Sequence, residues 1–320
     1  QIEAGFELNP CLKIPNRILL RLEEFKCRDL PKLYNKVKKM DLRFLNYGQD
    51  FKFHISSSKS RLFDDRKIAK TLEDALKVNY QAFPPKKKVV EKLQREENWG
   101  IFCRFQDDTC TLSLDTSGER LGKRGYKKRS GLAPLRENLA AGLWYFMTYD
   151  MKLESNKVLD PFAGSGTFLM EASLFNERVE TRTFSYQALS IVQENNKNNE
   201  APNNPIEVFG IEISDEQFVC LEKNVNDLEI KAKLIHGNNN EIDEELLSQM
   251  DLIISNPPYD KRVHGSSDFW RRELSAKRIG ILMPPGRHPK LKNYTLLREL
   301  AFSHGGHDVI FKLYVLVSSP

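Results

Sequence analysis

The sequence predicts an α/β protein in which residues 151–320 form a doubly wound, mostly parallel sheet, preceded by an N-terminal α+β region. Three observations support this prediction. Short apolar runs alternate with helix-like stretches in the C-terminal half, turns rich in glycine or proline follow two of those runs, and basic residues are concentrated in the N-terminal half. Such alternation is typical of parallel strands joined by helices.

Apolar runs predict the strands of the C-terminal sheet. They span 157–160, 206–213, 231–236, 250–255, 278–283 and 309–317. In doubly wound sheets, ligands bind at the carboxyl ends of the strands, around the point where the strand order reverses. We therefore expect functional residues directly after these runs.

The N-terminal region predicts a small α+β unit. Its strands are expected over 16–25, 51–56, 99–106 and 109–115, the last two joined in a hairpin around Asp107 and Asp108. Apolar residues at helical spacing predict helices over 30–40 and 60–80, with Asp64 and Asp65 as candidate capping residues for the second.

Charge divides the chain. Residues 1–150 hold 30 Lys and Arg against 20 Asp and Glu, a balance of +10, whereas residues 151–320 have a balance of −5. The densest basic cluster, Arg120–Arg129, lies in a glycine-containing connector. A basic region indicates a polyanionic partner. We therefore divide the chain into an α+β region over 1–118, a basic linker with a helix over 119–150, and the sheet domain over 151–320.

Composition excludes several classes of protein. The mean hydropathy is −0.51, and no apolar run approaches the roughly 20 residues of a membrane helix. This hydropathy leads us to expect no membrane anchor. The five cysteines form no CxxC pair and do not lie near histidine at zinc-ligand spacing, so we expect no metal and a reducing, cytoplasmic location. Because the chain begins with Gln1, we expect it to be a piece of a longer protein.

The first motif is DPFAGSGT, residues 160–167, between a predicted strand and a predicted helix. Gly164 and Gly166 allow a tight turn and close approach of a ligand to the backbone. The motif lacks the GxxxxGK[ST] pattern of a phosphate-binding loop and the third glycine of the dinucleotide fingerprint. It therefore favours a smaller, cationic nucleoside.

Two further motifs follow strands. Glu212 is the penultimate residue of the run 206–213, and at the end of a strand an acidic side chain can accept hydrogen bonds from both hydroxyls of a ribose. SNPPY, residues 255–259, follows the run 250–255. Its two prolines lack N–H groups, which leaves the carbonyls of Asn256 and Pro257 free to accept from a ligand. With the Asn256 amide oxygen and the flat Tyr259 ring, the motif suits an exocyclic –NH2 group.

Together, DPFAGSGT, GIEIS and SNPPY resemble the motifs of the class I amino-methyltransferases, which have a Rossmann-like fold and use S-adenosylmethionine. The stretch 122–143 resembles the THUMP-containing RNA guanine-N2 methyltransferases of the 23S rRNA and tRNA type, and residues 16–120 match a THUMP and ferredoxin-like region weakly. The resemblance implies methyl transfer to the N2 amine of a guanosine in structured RNA, with rRNA favoured over tRNA.

The resemblance also implies roles for individual residues. Asn256, Pro257, Pro258 and Tyr259 would hold and stack the target base for direct displacement, without a strong general base. The cofactor would be bound by Pro134, Leu135, Glu137, Asp160, Phe162, Gly164, Gly166, Thr167, Glu212, Ile213, Asn238 and Asn256. The RNA would be contacted by Lys123, Arg124, Lys127, Lys128, Arg129, Lys261 and Arg262.

The sequence departs from the family pattern at two places. Asn238 stands where the family commonly has an acidic residue for the adenine amine; its amide oxygen can still accept, more weakly. The run 309–317 has no turn where the family has a hairpin, so we expect either a different topology or missing residues there.

Other functions remain open on the sequence. NPPY also serves adenine-N6 methylation of DNA or RNA and glutamine methylation in release factors. The basic N-terminal half argues against a protein substrate, and the lack of an obvious DNA-recognition domain argues against DNA. A non-catalytic RNA-binding protein with a methyltransferase fold is a third reading, disfavoured by the intact NPPY motif.

Overall fold

The computed structural model describes residues 5–45, 51–83, 99–126, 135–152, 156–179, 181–189, 192, 206–258 and 268–317. The chain forms two compact units, Gln1–Leu121 with Arg182–Asn199, and Gly122–Thr181 with Glu200–Pro320. The predicted linker over 119–150 is therefore divided, and most of it belongs to the second unit. The physical reason is that its helix buries Leu143, Trp144 and Met147 in that unit's core.

The first unit contains one four-stranded sheet with order β1-β4-β3-β2. Its strands are β1 (Leu19–Lys26), β2 (Phe51–Ser58), β3 (Trp99–Gln106) and β4 (Thr109–Asp115), and its helices are α1 (Leu8–Cys11), α2 (Leu30–Val37) and α3 (Asp65–Ala82). β3 pairs antiparallel with β4 and parallel with β2. The predicted α+β character and the hairpin over 99–115 are confirmed for the described residues.

Local signals explain where the two longer helices of this unit begin. Asp29 caps α2 by accepting a hydrogen bond from the Lys32 N–H. Asp64 caps α3 by accepting hydrogen bonds from the N–H groups of Arg66 and Lys67. Residues 182–189 return to this unit because the Tyr186 N–H donates to the Thr116 carbonyl at 2.9 Å and its ring stacks on Phe6.

The second unit contains a seven-stranded sheet with order β10-β11-β9-β8-β5-β6-β7. The strands are β5 (Lys157–Asp160), β6 (Glu207–Glu212), β7 (Ala232–His236), β8 (Leu252–Ser255), β9 (Arg278–Met283), β10 (Tyr294–His304) and β11 (His307–Leu316). β7, β6, β5, β8 and β9 pair in parallel, and β11 is antiparallel to its neighbours. The predicted doubly wound, mostly parallel sheet is confirmed.

Apolar side chains cover both faces of this sheet. On one face, Val158 and Val208 pack with helices α4 (Glu137–Thr148), α5 (Thr167–Ser173) and α6 (Asp215–Asn226). On the other face, Leu159 and Phe209, which follow Val158 and Val208 in the sequence, pack with residues from α7 (Glu244–Ser248) and from the segment 269–276. Burial on both faces explains why the parallel strands read as continuous apolar runs.

The C-terminal end of the sheet differs from the prediction for 309–317. That segment is the second strand of an antiparallel hairpin, β10 and β11, and the turn consists of Gly305 and Gly306. Both glycines have positive φ, +61° and +82°, which other residues adopt at a cost. The turn signal therefore lies just before the predicted run, and the expectation of a strand without a hairpin was wrong.

The structure also corrects the role of Arg124. Its side chain is buried, and its guanidinium makes two hydrogen bonds of 2.9 Å to the Glu171 carboxylate, with both side chains 1% exposed. The Tyr126 hydroxyl donates to the same carboxylate. A buried, fully engaged guanidinium cannot reach phosphate groups, so Arg124 has a structural role in place of the predicted RNA contact.

Among the described residues, no helix is long and apolar enough to cross a membrane. Within the same part of the chain, no group of His, Cys, Asp or Glu side chains is arranged to hold a metal ion.

We expect Glu171→Ala to lower the free energy of unfolding by about 3–5 kcal/mol, because it leaves the Arg124 guanidinium buried without its partner. Urea denaturation followed by circular dichroism measures this loss. The double variant Arg124→Met and Glu171→Leu is the control, and we expect it to lose much less. Equal losses in the single and double variants would contradict this account of the pair.

Candidate active site at the carboxyl ends of the strands

The site lies where the strand order of the parallel sheet reverses. From β5 the chain first extends the sheet in one direction through β6 and β7. It then returns to the other side of β5, where β8 and β9 follow. Of these strands, β5, β6 and β8 end at Asp160, Glu212 and Ser255. Because neighbouring parallel strands end at the same edge of the sheet, these residues and the segments after them lie close together.

Asp160 is the most buried acidic group of this edge, with 2% of its surface exposed. Its Oδ1 accepts hydrogen bonds from the Phe162 N–H and the Ser255 hydroxyl, both at 3.0 Å. Burial raises the pKa of Asp160 to about 7, the two hydrogen bonds oppose that rise, and the Glu212 charge adds to it. The carboxyl group therefore titrates near neutral pH.

The glycine turn after β5 is held by backbone and side-chain contacts. Gly164 and Gly166 both have positive φ, +54° and +89°. The Gly164 N–H donates to Glu212 Oε2, and the Ser214 N–H donates to Oε1, each at 2.8 Å. Each carboxylate oxygen has a second lone pair, so Glu212 can still accept from a ligand hydroxyl. The structure thus brings the first and second sequence motifs into direct contact.

The segment after β8 is positioned by the neighbouring strands. Ser255 is fully buried and pairs with Ile281 of β9. Asn256 is half-buried, Pro257 is buried and Pro258 is exposed. Pro257 and Pro258 lack backbone N–H groups, so this segment offers the carbonyls of Asn256 and Pro257 as acceptors without adjacent donors. Tyr259, predicted to stack on the base, lies outside the described residues.

One aromatic ring next to the glycine turn is partly exposed, and two buried rings pack against it. The half-exposed Phe162 ring stacks on Trp270 with a centroid distance of 6.0 Å and contacts Phe269 edge-on at 6.2 Å. Trp270 and Phe269 were not predicted as site residues, because no motif surrounds them and their proximity to Phe162 depends on tertiary packing. Trp270 and Phe269 are buried in the core and support the half-exposed Phe162 ring from behind.

The segment after β7 uses its asparagines structurally. The Asn238 side-chain oxygen accepts from the Asn240 N–H at 3.0 Å and caps the short helix Asn239–Glu241. The buried Asn239 amide donates to the Pro161 carbonyl at 2.9 Å. Asn238 was a predicted site residue, whereas Asn239, which connects this segment to the DPFAGSGT turn, was not. The predicted adenine contact of Asn238 stays a prediction.

The other predicted cofactor residues have varied surroundings. Thr167 is buried at the start of α5, Ile213 is 66% exposed, Leu135 is part of the buried core, and Glu137 is half-buried at the start of α4. Of the predicted RNA contacts, Lys123 is exposed. Besides Tyr259, the predicted site residues outside the described part of the chain are Pro134, Lys127, Lys128, Arg129, Lys261 and Arg262.

This arrangement can bind a nucleoside-like ligand next to a planar amine. A Cβ atom built on Gly164 would have no other atom within 4 Å, so the turn leaves open space in front of its backbone. Glu212 offers acceptors for hydroxyl groups on one side of that space. Asn256 and Pro257 offer acceptors for N–H groups at the neighbouring strand end.

Comparison with known proteins agrees with this geometry. Residues 124–273 match the UPF0020 family, described as RMKL-like, methyltransferase domain. Ribosomal RNA large subunit methyltransferase K/L of Marinomonas sp. (strain MWYL1) is 30% identical over 165 residues, covering 51% of this chain and 23% of that protein. The protein of the same name from Colwellia psychrerythraea is 24% identical over 285 residues, covering 82% and 39%. The chain thus spans well under half the length of these relatives.

Solved structures share the fold. The crystal structure of the protein SMU.472 complexed with SAH matches with a TM-score of 0.79 and 21% identity, over 100% of this chain and 89% of that chain. TrmN from Thermus thermophilus matches with a TM-score of 0.69 and 15% identity, over 96% and 85%. With the observed sheet, these likenesses show a Rossmann-like class I methyltransferase fold.

We expect the two glycines of the turn to respond differently to alanine. Gly166→Ala would place Cβ 2.6 Å from Cδ1 of the buried Leu221, so strain and overpacking together should cost about 2–4 kcal/mol. Gly164→Ala meets open space and should cost only about 1 kcal/mol, from its positive φ. Urea denaturation of both variants measures the difference, and equal losses would contradict the described packing.

Proposed function

We propose that this protein is an S-adenosylmethionine-dependent RNA methyltransferase, because residues 124–273 match the RMKL-like methyltransferase domain family. Its proposed acceptor is the exocyclic N2 amine of a guanosine in structured RNA, with rRNA favoured over tRNA. The observation that carries the proposal is the hydrogen bond between Ser255 and Asp160, which joins the strand end before Asn256 and Pro257 to the glycine turn.

The residues present fit S-adenosylmethionine. The open space at Gly164 admits a ligand against the backbone, and Glu212 keeps lone pairs for the two ribose hydroxyls. Phe162 offers a half-exposed ring, backed by Trp270, to a flat or apolar part of the ligand. When bound, S-adenosylmethionine supplies an electrophilic methyl group on a sulfonium.

The residues after β8 would handle the acceptor. The Asn256 amide oxygen and the Pro257 carbonyl would accept the two hydrogens of the amine, which directs the nitrogen lone pair away from them. Holding the amine in this orientation is the main catalytic contribution we assign to them. The amine can lose a proton after attack, so no strong general base is needed. Tyr259 would stack on the base.

Recognition of RNA is assigned to the basic N-terminal half of the chain. It is supported by the balance of +10 over residues 1–150 and by the names of the curated relatives. We propose that the α+β unit is a THUMP-like RNA-binding region and that exposed basic residues, including Lys123, contact phosphates. A target inside a helix would be flipped out, at a cost of a few kcal/mol.

The proposed cofactor site predicts that Gly164→Ala folds but loses S-adenosylmethionine binding, because the added methyl group occupies the open space. Isothermal titration calorimetry should show at least about a tenfold weaker affinity, equivalent to roughly 1.4 kcal/mol. Val219→Ala, on the exposed surface of α6, is the control and should bind as the unsubstituted chain does. Unchanged binding by Gly164→Ala would argue against this site.

The proposed activity predicts transfer of tritium from labelled S-adenosylmethionine into RNA, when total RNA, DNA and protein are offered in parallel. Nucleoside chromatography should identify N2-methylguanosine. Asn256→Ala should lower kcat by about 100-fold, because it removes an acceptor that orients the amine. Asn226→Ala, which removes an exposed amide at the end of α6, should leave kcat unchanged.

Other outcomes would point elsewhere. Label in N6-methyladenine, or in protein, would overturn the proposed acceptor while retaining methyl transfer. Binding of S-adenosylmethionine without transfer to any pool would favour a non-catalytic RNA-binding protein.

A further inference from the structure

The hydroxyl group of Ser255 connects two strands beyond their last backbone pairing. The paired residues of β5 and β8 are Val158 with Leu252 and Leu159 with Ile253. The 3.0 Å hydrogen bond from Ser255 Oγ to Asp160 Oδ1 continues this connection to the strand ends. Both residues are buried, at 0% and 2% exposure, so water does not compete for the bond.

The acceptor oxygen of this bond is shared. Asp160 Oδ1 also accepts from the Phe162 N–H, which belongs to the turn leading to Gly164. Ser255 is followed directly by Asn256. A single carboxylate oxygen therefore contacts both the turn that would hold the cofactor and the residue before the proposed amine-binding segment.

We propose that Ser255 is a positioning residue, whose hydroxyl aligns Asn256 and Pro257 with the glycine turn so that the amine and the methyl group meet in line. This inference rests on the proposed function. Ser255 does not itself touch the reactants; it acts through Asp160 and through the backbone of Asn256.

Alignment of this kind affects the chemical step more than binding. A displacement of about 1 Å between two reacting groups can cost about 100-fold in rate while each group still binds. Removing the hydroxyl leaves Asp160 without one donor and removes the side-chain link between Ser255 and the β5 end, while the backbone pairing of Ser255 with Ile281 of β9 remains. The expected signature is a loss in kcat with small changes in binding.

Asp160 provides a second readout. The Ser255 hydrogen bond lowers the pKa of this carboxyl group, and burial and the nearby Glu212 raise it. Removing the hydroxyl should raise that pKa further. The carboxylate form accepts more strongly from the Phe162 N–H, so the acidic limb of activity should move to higher pH.

The test compares Ser255→Ala with Ser173→Ala. Ser173 is a buried serine at the C-terminal end of α5, the end away from the glycine turn. Methyl transfer to RNA is measured over pH 5–9 with S-adenosylmethionine affinity determined by calorimetry. For Ser255→Ala we expect kcat to fall about 10- to 100-fold, KM and cofactor affinity to change less than about threefold, and the acidic limb to move upward. Ser173→Ala should show none of these changes.

Ser255→Thr is the second variant, because it keeps a hydroxyl group at the same position. We expect its acidic limb to coincide with that of the unsubstituted chain, even where the extra methyl group lowers Tm. If Ser255→Ala does not fold, an upward shift of the acidic limb in the threonine variant overturns the inference and an unshifted limb supports it.

The remaining outcomes separate this inference from the proposed function. If Ser255→Ala lowers Tm but keeps the kcat and pH profile of the unsubstituted chain, the hydroxyl is merely structural and the inference is overturned. If the unsubstituted chain methylates DNA instead of RNA, the proposed acceptor fails and the same Ser255 comparison on DNA still decides the inference. If it methylates nothing, both are overturned.

Discussion

The buried carboxyl group of Asp160 is the constraint around which the candidate site is organised. A carboxyl group removed from water must be hydrogen-bonded, since an unsatisfied one costs several kcal/mol. Its two donors come from the turn after β5 and from the end of β8. Satisfying one buried group therefore brings together two segments that are 95 residues apart in the chain.

Glu212 extends the same organisation to the third strand. Its carboxylate accepts from the Gly164 N–H and from its own following loop, so the shape of the glycine turn depends on a residue 48 positions later. Asn239 adds a contact to the Pro161 carbonyl from the segment after β7. Four strand ends thus contribute to one turn, and the site is built on rigid elements whose positions are set by the sheet.

Much of the fold was predictable because its strands carry strong local signals. The strands of the parallel sheet are buried on both faces and read as short apolar runs. In β3, more buried side chains alternate with less buried ones, and a tight turn joins β3 to its antiparallel partner β4. β10 was missed because it lies at the edge of the sheet and most of its side chains are exposed. Its pattern therefore lacks the apolar periodicity that identifies a strand.

The sequence by itself determined which chemical groups the site contains: two glycines in a turn, an acidic residue at a strand end, and an amide followed by two prolines. These are local properties, because backbone freedom, charge and the absence of an N–H belong to single residues. Only the tertiary structure decided which groups meet. The Ser255 hydroxyl reaches Asp160 because β8 pairs beside β5 in the sheet. Arg124, one of several adjacent basic residues, is buried where it contacts Glu171. Such contacts depend on residues tens of positions apart, and no short stretch of sequence carries that information.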